Sequence, residues 1–156
     1  MKLVNLKFNA IRIVKPIVIL MTIATLVSFT SDNEDTKITV IVNGFKNASG
    51  NCIINIYTKS TGFPNNNKLA YKSIPVKIKN NSAQLIFENM EPGTYAVSVL
   101  HDANGNGVMD KNMFGIPSEG YGASNNIIPS FSSPKFEDSK FKITNQDKTI
   151  VIKIEY

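Results

Sequence analysis

The sequence has no tryptophan, one cysteine, one histidine and one arginine, and each scarcity removes a class of chemistry. With Cys52 alone, no disulfide can close within the chain, and no thiolate pair is available for a metal or a redox exchange. With His101 the only imidazole, a multi-histidine zinc centre is excluded. The one arginine is Arg12, so the chain beyond it offers no guanidinium fork for phosphates or carboxylates. Long apolar runs are also missing: the stretch from Pro16 to Phe29 is about 14 residues, short of the roughly 20 that a spanning helix needs.

What the N-terminus does contain is ordered. Lys2, Lys7, Arg12 and Lys15 charge the front, the uncharged stretch from Pro16 to Phe29 follows, and the polar residues Ser31 to Asp35 close it. That order predicts an N-terminal export signal over residues 1–31 and a protein that is periplasmic or extracellular. Membrane attachment would then come only through an uncleaved signal. Cys52 lies too far along the chain to serve as a lipid-modified cysteine. Export also changes the charge balance. Of 17 basic residues four belong to the signal, leaving 13 against 12 acidic residues that all lie beyond position 31, a net charge of about +1. The apparent basicity belongs to the signal, and the basic footprint that a nucleic acid needs is absent.

From Thr36 onward the periodicity is two. Ile38, Val40 and Val42 alternate with Thr39, Ile41 and Asn43, and Cys52, Ile54 and Ile56 share a face after the turn-forming stretch Asn47 to Asn51. These first two runs are expected to pair as a hairpin or near neighbours. Runs around Ile74 to Lys79 and Ala83 to Glu88 flank Asn80-Asn81, a dipeptide suited to a tight hairpin turn. Next comes a strand with Tyr95, Val97, Val99 and His101 on one face, and then two more, Lys140 to Thr144 and Thr149 to Tyr156. Cys52, in register with isoleucines, reads as a small buried apolar residue. Seven short strands with apolar faces need a second apolar layer, and no amphipathic helix is on offer. The prediction is all-β: a single-domain antiparallel β-sandwich over 37–156, immunoglobulin-like or prealbumin-like.

The stretch from Asp102 to about Asp138 breaks this regularity. It holds five of the nine glycines together with Pro117, Pro129 and Pro134, and its apolar residues Met113, Phe114, Ile116, Tyr121 and Phe131 argue for an ordered loop packed on one end of the sandwich. Its opening, Asp102-Ala103-Asn104-Gly105-Asn106-Gly107-Val108-Met109-Asp110, puts oxygen-bearing side chains at loop positions 1, 3, 5 and 9 and glycine at 6, as at the front of a calcium loop. Asp102, Asn104, Asn106 and Asp110 would give side-chain oxygens and Val108 a carbonyl. Position 12 is Met113, which excludes the helix-loop-helix version, and Glu119 could close the shell. Asp, Asn and Gly are also plain turn formers, which is the competing explanation.

These residues carry a resemblance. Pro92-Gly93-Thr94-Tyr95-Ala96, His101-Asp102, Asn104-Gly105-Asn106-Gly107 with Asp110, Gly115-Ile116-Pro117 with Glu119-Gly120-Tyr121-Gly122, and Ser124-Asn125 together resemble the bacterial family known as domain of unknown function 2141. The resemblance runs from about Ile38 to Tyr156. It implies an exported protein of this fold and brings no catalytic residue to carry over.

Three classes of function fit the sequence. The favoured one is a calcium-stabilised binding or adhesion module of the cell envelope, whose partner is a glycan, peptide or protein met by the long loop, with His101, Glu119, Tyr121, Ser124 and Asn125 as possible ligand or loop contacts. A glycan partner is weakened by the absence of tryptophan. The second is a purely structural domain for envelope assembly. The third and least supported is a hydrolase built on His101 with Asp102, Glu119 or Ser124, or on the carboxylates of Asp110 and Glu119; no nucleophile-elbow pattern surrounds Ser124.

Overall fold

A computed structural model describes residues 35–130 and 132–156. The export signal expected over 1–31, and Phe131, lie outside the described residues. Among the described residues, eight strands form two sheets. β1 (Ile38–Asn43) is central in a three-stranded sheet, between β4 (Ser82–Phe87) and β8 (Lys148–Lys153). The β1–β4 pair is antiparallel and the β1–β8 pair parallel, with Val40 opposite Leu85 on one side and Ile150 on the other. The second sheet runs β3 (Lys72–Val76), β2 (Asn51–Tyr57), β5 (Gly93–Asp102), β6 (Tyr121–Ala123), and β7 (Phe141–Ile143) pairs with the first residues of β5.

The core is made by the alternation read from the sequence. Ile38, Val40 and Val42 of β1, Ile150 and Ile152 of β8, and Ala83 and Phe87 of β4 face Cys52, Ile54 and Ile56 of β2 and Tyr95, Val97 and Val99 of β5. Burial of each large aliphatic side chain contributes about 1.5–3 kcal/mol. The all-β sandwich expected from these patterns is the fold observed.

Pairing differs from expectation in three places, the first being the parallel β1–β8 pair in a sandwich expected to be antiparallel. β1 and β2 are not a hairpin: they lie in opposite sheets. After β1 the chain turns at Gly44, φ 90°, and drives Phe45 into the core, which carries it across to the other layer. β3 and β4 also part into different sheets. The tight turn at Asn80-Asn81 is real, with both residues at positive φ and Lys79 and Ser82 exchanging backbone hydrogen bonds, but the hairpin stops at that one bridge. An eighth strand, β6, and a short helix α1 (Phe136–Ser139) arise inside the stretch read as irregular.

The central strands of the five-stranded sheet, β2 and β5, are covered on their outer face too. Tyr57, Ala96 and Phe136 form a second apolar cluster there, with Phe63 and Ala70 against it. This cover is built from the 58–71 connection and the long loop after β5, and it places the candidate site on the outside of the second sheet.

Candidate functional site

The loop after β5 is organised around the Asp102 carboxylate, which is only 3% exposed. Its Oδ1 accepts from the backbone N–H groups of Gly105 and Asn106 at 2.9 and 3.0 Å, and its Oδ2 from that of Gly107 at 3.0 Å. Charge-assisted bonds of this kind are stronger than neutral ones, so one carboxylate sets the whole turn. Gly107 sits at φ 80°, a conformation costly for any residue with a Cβ. Asn67, from the 58–71 connection, donates to the Gly107 carbonyl at 3.1 Å and ties the turn to the outer cover.

Glu119 fastens the two ends of the loop. It is 7% exposed, Oε1 accepts from Ala103 N–H at 3.0 Å, and Oε2 accepts from Asp110 N–H at 3.1 Å. Asn104 and Asn106 direct their amide nitrogens at Asp110, donating to Oδ2 at 2.6 Å and Oδ1 at 3.0 Å. Their amide oxygens accept from the N–H groups of Asn106 and Val108, each in a short local turn. The structure therefore gathers Asp102, Asn104, Asn106, Asp110 and Glu119 in one place. The Val108 side chain points to solvent, 58% exposed.

The donors match a hard cation in kind, since all are carboxylate or amide oxygens. Of the two ion pairs among the described residues, Lys140–Glu137 and Lys153–Glu155, neither reaches the loop, so its carboxylates have no basic side chain to balance them. The arrangement is that of a hydrogen-bonded turn: the amide nitrogens, not the oxygens, face Asp110. Among the described residues no three acidic, histidine or cysteine side chains converge as a metal cluster.

His101 points the other way, into the sandwich, at 2% exposure. Nε2 lies 3.0 Å from the Ser49 carbonyl, which can only accept, so Nε2 carries the proton in the neutral ring. Nδ1 then accepts from the Tyr156 hydroxyl at 2.7 Å, and that oxygen accepts in turn from Lys46 N–H at 3.0 Å. Phe45 packs edge-on against the imidazole, with ring centres 5.3 Å apart. With both nitrogens engaged and its ring buried, His101 ties Tyr156 to Ser49, two residues before β2.

Ser124 is equally committed. It is fully buried, its Oγ accepts from Val97 N–H at 2.9 Å and it donates to the Ser139 carbonyl. Asn125 donates to the carbonyls of Asp138 and Lys140 at 2.9 and 3.2 Å, which holds α1 in place. Neither side chain joins the Asp102 loop. Burial pushes the Cys52 thiol up to about 12, so it is no nucleophile at neutral pH.

Tyr121, half-buried on β6, lines an open groove of about 520 Å³ between the 111–117 segment and Pro129, Ser130, Ser132, Ser133 and Pro134. Met109, Phe114, Ile116 and Pro117 line it together with Asn65, Ser130 and Ser133. A small adjoining cavity of about 30 Å³ reaches Asn55 and Ser98 on the outer face of the sheet. There Asn55 Oδ1 is buried without a partner, and the space suits an ordered water. Sequence reasoning missed Asn55, Ser98, Asn65 and Asn67. The available signal was polar residues inside otherwise apolar strands, Asn55 between Ile54 and Ile56 and Ser98 between Val97 and Val99.

No curated protein and no solved structure matches the chain significantly. The profile of a bacterial family described as "Uncharacterized protein conserved in bacteria (DUF2141)" matches residues 40–151, from within β1 to within β8 and across the whole loop that Asp102 and Glu119 organise. The chain belongs to the DUF2141 family.

Proposed function

We propose that this protein is an exported binding or adhesion module of the cell envelope, whose partner-facing end is the loop after β5 and whose loop is stabilised by calcium. Export rests on the basic, apolar and polar order of residues 1–35. One observation carries the binding reading. The loop holds two buried carboxylates, those of Asp102 and Glu119, fixed by five backbone N–H groups, and this hydrogen-bonded base borders an open groove lined by both apolar and polar side chains. Ordered loops of this length on a rigid scaffold are where binding residues concentrate.

Asp102, Asn104, Asn106, the Val108 carbonyl and Asp110 are the groups that would hold the cation, with Glu119 behind them. Bound calcium would supply positive charge to carboxylates that lack a basic partner. Asn104 and Asn106 would exchange their bonds to Asp110 for oxygen contacts, so the loop must give up hydrogen bonds to bind. Affinity is therefore expected to be weak, on the order of 10⁻⁴ M, as in extracellular modules. At about ten times that concentration, linkage gives roughly 1.4 kcal/mol of added stability and a rise of several degrees in melting temperature. The test is a thermal melt of the protein in chelator and in millimolar calcium, wild type beside Asp110→Ala. A wild-type midpoint that does not move, with no heat of binding by calorimetry, removes calcium from the account.

The binding reading is preferred to the hydrolase one because His101, Ser124 and Glu119 all spend their polar atoms on backbone partners or on Tyr156.

A further inference from the structure

Residues 111–117 form a miniature hairpin at the rim of the groove. Lys111 and Pro117 pair as an antiparallel bridge, and Asn112 ties the turn between them. Asn112 N–H donates to the Ile116 carbonyl, Gly115 N–H donates to the Asn112 carbonyl, and the Asn112 side-chain oxygen accepts from the N–H groups of Phe114 and Ile116. On this tight frame stand Met113, 91% exposed, Phe114, 80% exposed, and Ile116, 58% exposed. Met113 and Phe114 are the two most exposed large apolar side chains of the described chain. A solvated turn gains nothing from such residues, and exposed apolar groups gathered in one place mark a partner surface.

We propose that this tip inserts into the surface of a lipid bilayer, with Met113, Phe114 and Ile116 entering the apolar layer and Lys111 remaining among the headgroup phosphates. The proposal rests on the reading of the loop end as the binding face and names its partner. Three observations favour lipid. The tip is led by Met113 and Phe114, the two most exposed large apolar side chains of the described residues. Of the five N–H groups from Asn112 to Ile116, all but that of Met113 are satisfied within the hairpin. Apolar surroundings demand this, because an N–H without a partner is costly there. Lys111, at the hairpin base, supplies the positive charge that sits well beside lipid phosphate.

The chain contains no tryptophan, so a single substituted one reports on its own position. The full chain carrying Phe114→Trp, and separately the full chain carrying Ile86→Trp on the outer face of the three-stranded sheet, are mixed with phosphatidylethanolamine and phosphatidylglycerol vesicles containing lipids brominated on the acyl chains. The expected result is a blue-shifted and quenched emission for Phe114→Trp and neither change for Ile86→Trp. Adding Met113→Ser to the Phe114→Trp chain should lower the vesicle-bound fraction at least about tenfold in partition coefficient. Unchanged Phe114→Trp emission overturns the proposal. So does equal quenching at both positions, which means adsorption through another part of the chain. Emission that shifts only with a lipid-free envelope extract assigns the tip to a protein and also overturns it. Calcium-dependent melting without quenching leaves the stabilised loop standing and removes lipid as its partner.

Discussion

The two sheets of this sandwich use the same alternating strands differently. In the three-stranded sheet one face is core and the other is open: Ile86 and Val151 are about half exposed. In the five-stranded sheet the two central strands are covered on both faces. β2 is buried from Cys52 to Tyr57 and β5 from Tyr95 to Asp102, inner and outer residues alike. The cover on the outer face is loop rather than a third layer of regular structure, and the Asp102 loop, the groove and the apolar tip all belong to it. One sheet supplies the scaffold, and the other is a platform for irregular chain. Covering β2 and β5 with loop costs conformational entropy, which is offset only if the loop finds its own apolar and charge-assisted contacts.

The largest effect expected from this difference lies in the outer cluster. Tyr57 is fully buried on the outer face of β2, packs edge-on against Phe63, and donates its hydroxyl proton to the Pro64 carbonyl at 3.2 Å. Tyr57→Ala is expected to cost about 3–5 kcal/mol in chemical denaturation, as much as deleting an aromatic from the main core. A loss under about 1 kcal/mol would mean that the loop cover is loosely held and that the two sheets are equivalent after all.

The same difference decides what was legible in the sequence. The strands of the three-stranded sheet announce themselves by period two, because one side meets water and the other does not. β5 is legible for another reason: its long alternation and the Pro92-Gly93 turn before it. Its outer residues Ala96 and Ser98 look like solvent positions in a sequence, and only the fold shows them buried. Strand pairing was less legible, because Gly44 and Asn80-Asn81 signal that the chain turns but not into which layer it goes. β6 escaped because three residues with Gly122 at the centre carry no alternation. Its glycine is explained by packing, since a Cβ there would lie 2.7 Å from an Ile152 methyl and 2.9 Å from the Lys153 carbonyl. The Asp102 loop was legible in its spacing, whereas the part of Glu119 as a clamp across residues 103 and 110 depends on a contact that no local pattern encodes.

A middle-sized effect should separate the loop from the scaffold beneath it. Asp102→Ala removes the acceptor of three backbone N–H groups, those of Gly105, Asn106 and Gly107. Each then turns to water if the loop opens or stays unmet if it does not, so the expected global cost is about 1–3 kcal/mol. The local cost is larger in its readout. Amide hydrogen exchange at Gly105, Asn106 and Gly107 should lose its protection while exchange in β1 and β8 keeps its own. Protection lost equally in all these elements would show that loop and scaffold open as one unit.

The smallest effect is expected on the open face. Val151 lies on the outer side of β8 opposite Ile41, 53% exposed, and its carbonyl accepts from the Asn126 amide at 3.0 Å, so the edge of the strand is tied down by backbone rather than by the side chain. Val151→Thr keeps the branched Cβ that suits a strand and exchanges a half-exposed methyl for a hydroxyl. The change in stability should stay within about 0.5 kcal/mol, the range usual for surface positions. The face around it also carries Ile86, and Ile41 opposite, so the measurement is best made at two protein concentrations tenfold apart. If Val151→Thr costs well over 1 kcal/mol, and the wild-type melting temperature rises with concentration, a second copy covers this face and mass action is adding to the apparent stability. The three-stranded sheet would then be covered on both sides like the central strands of its neighbour, by another chain instead of by its own loop.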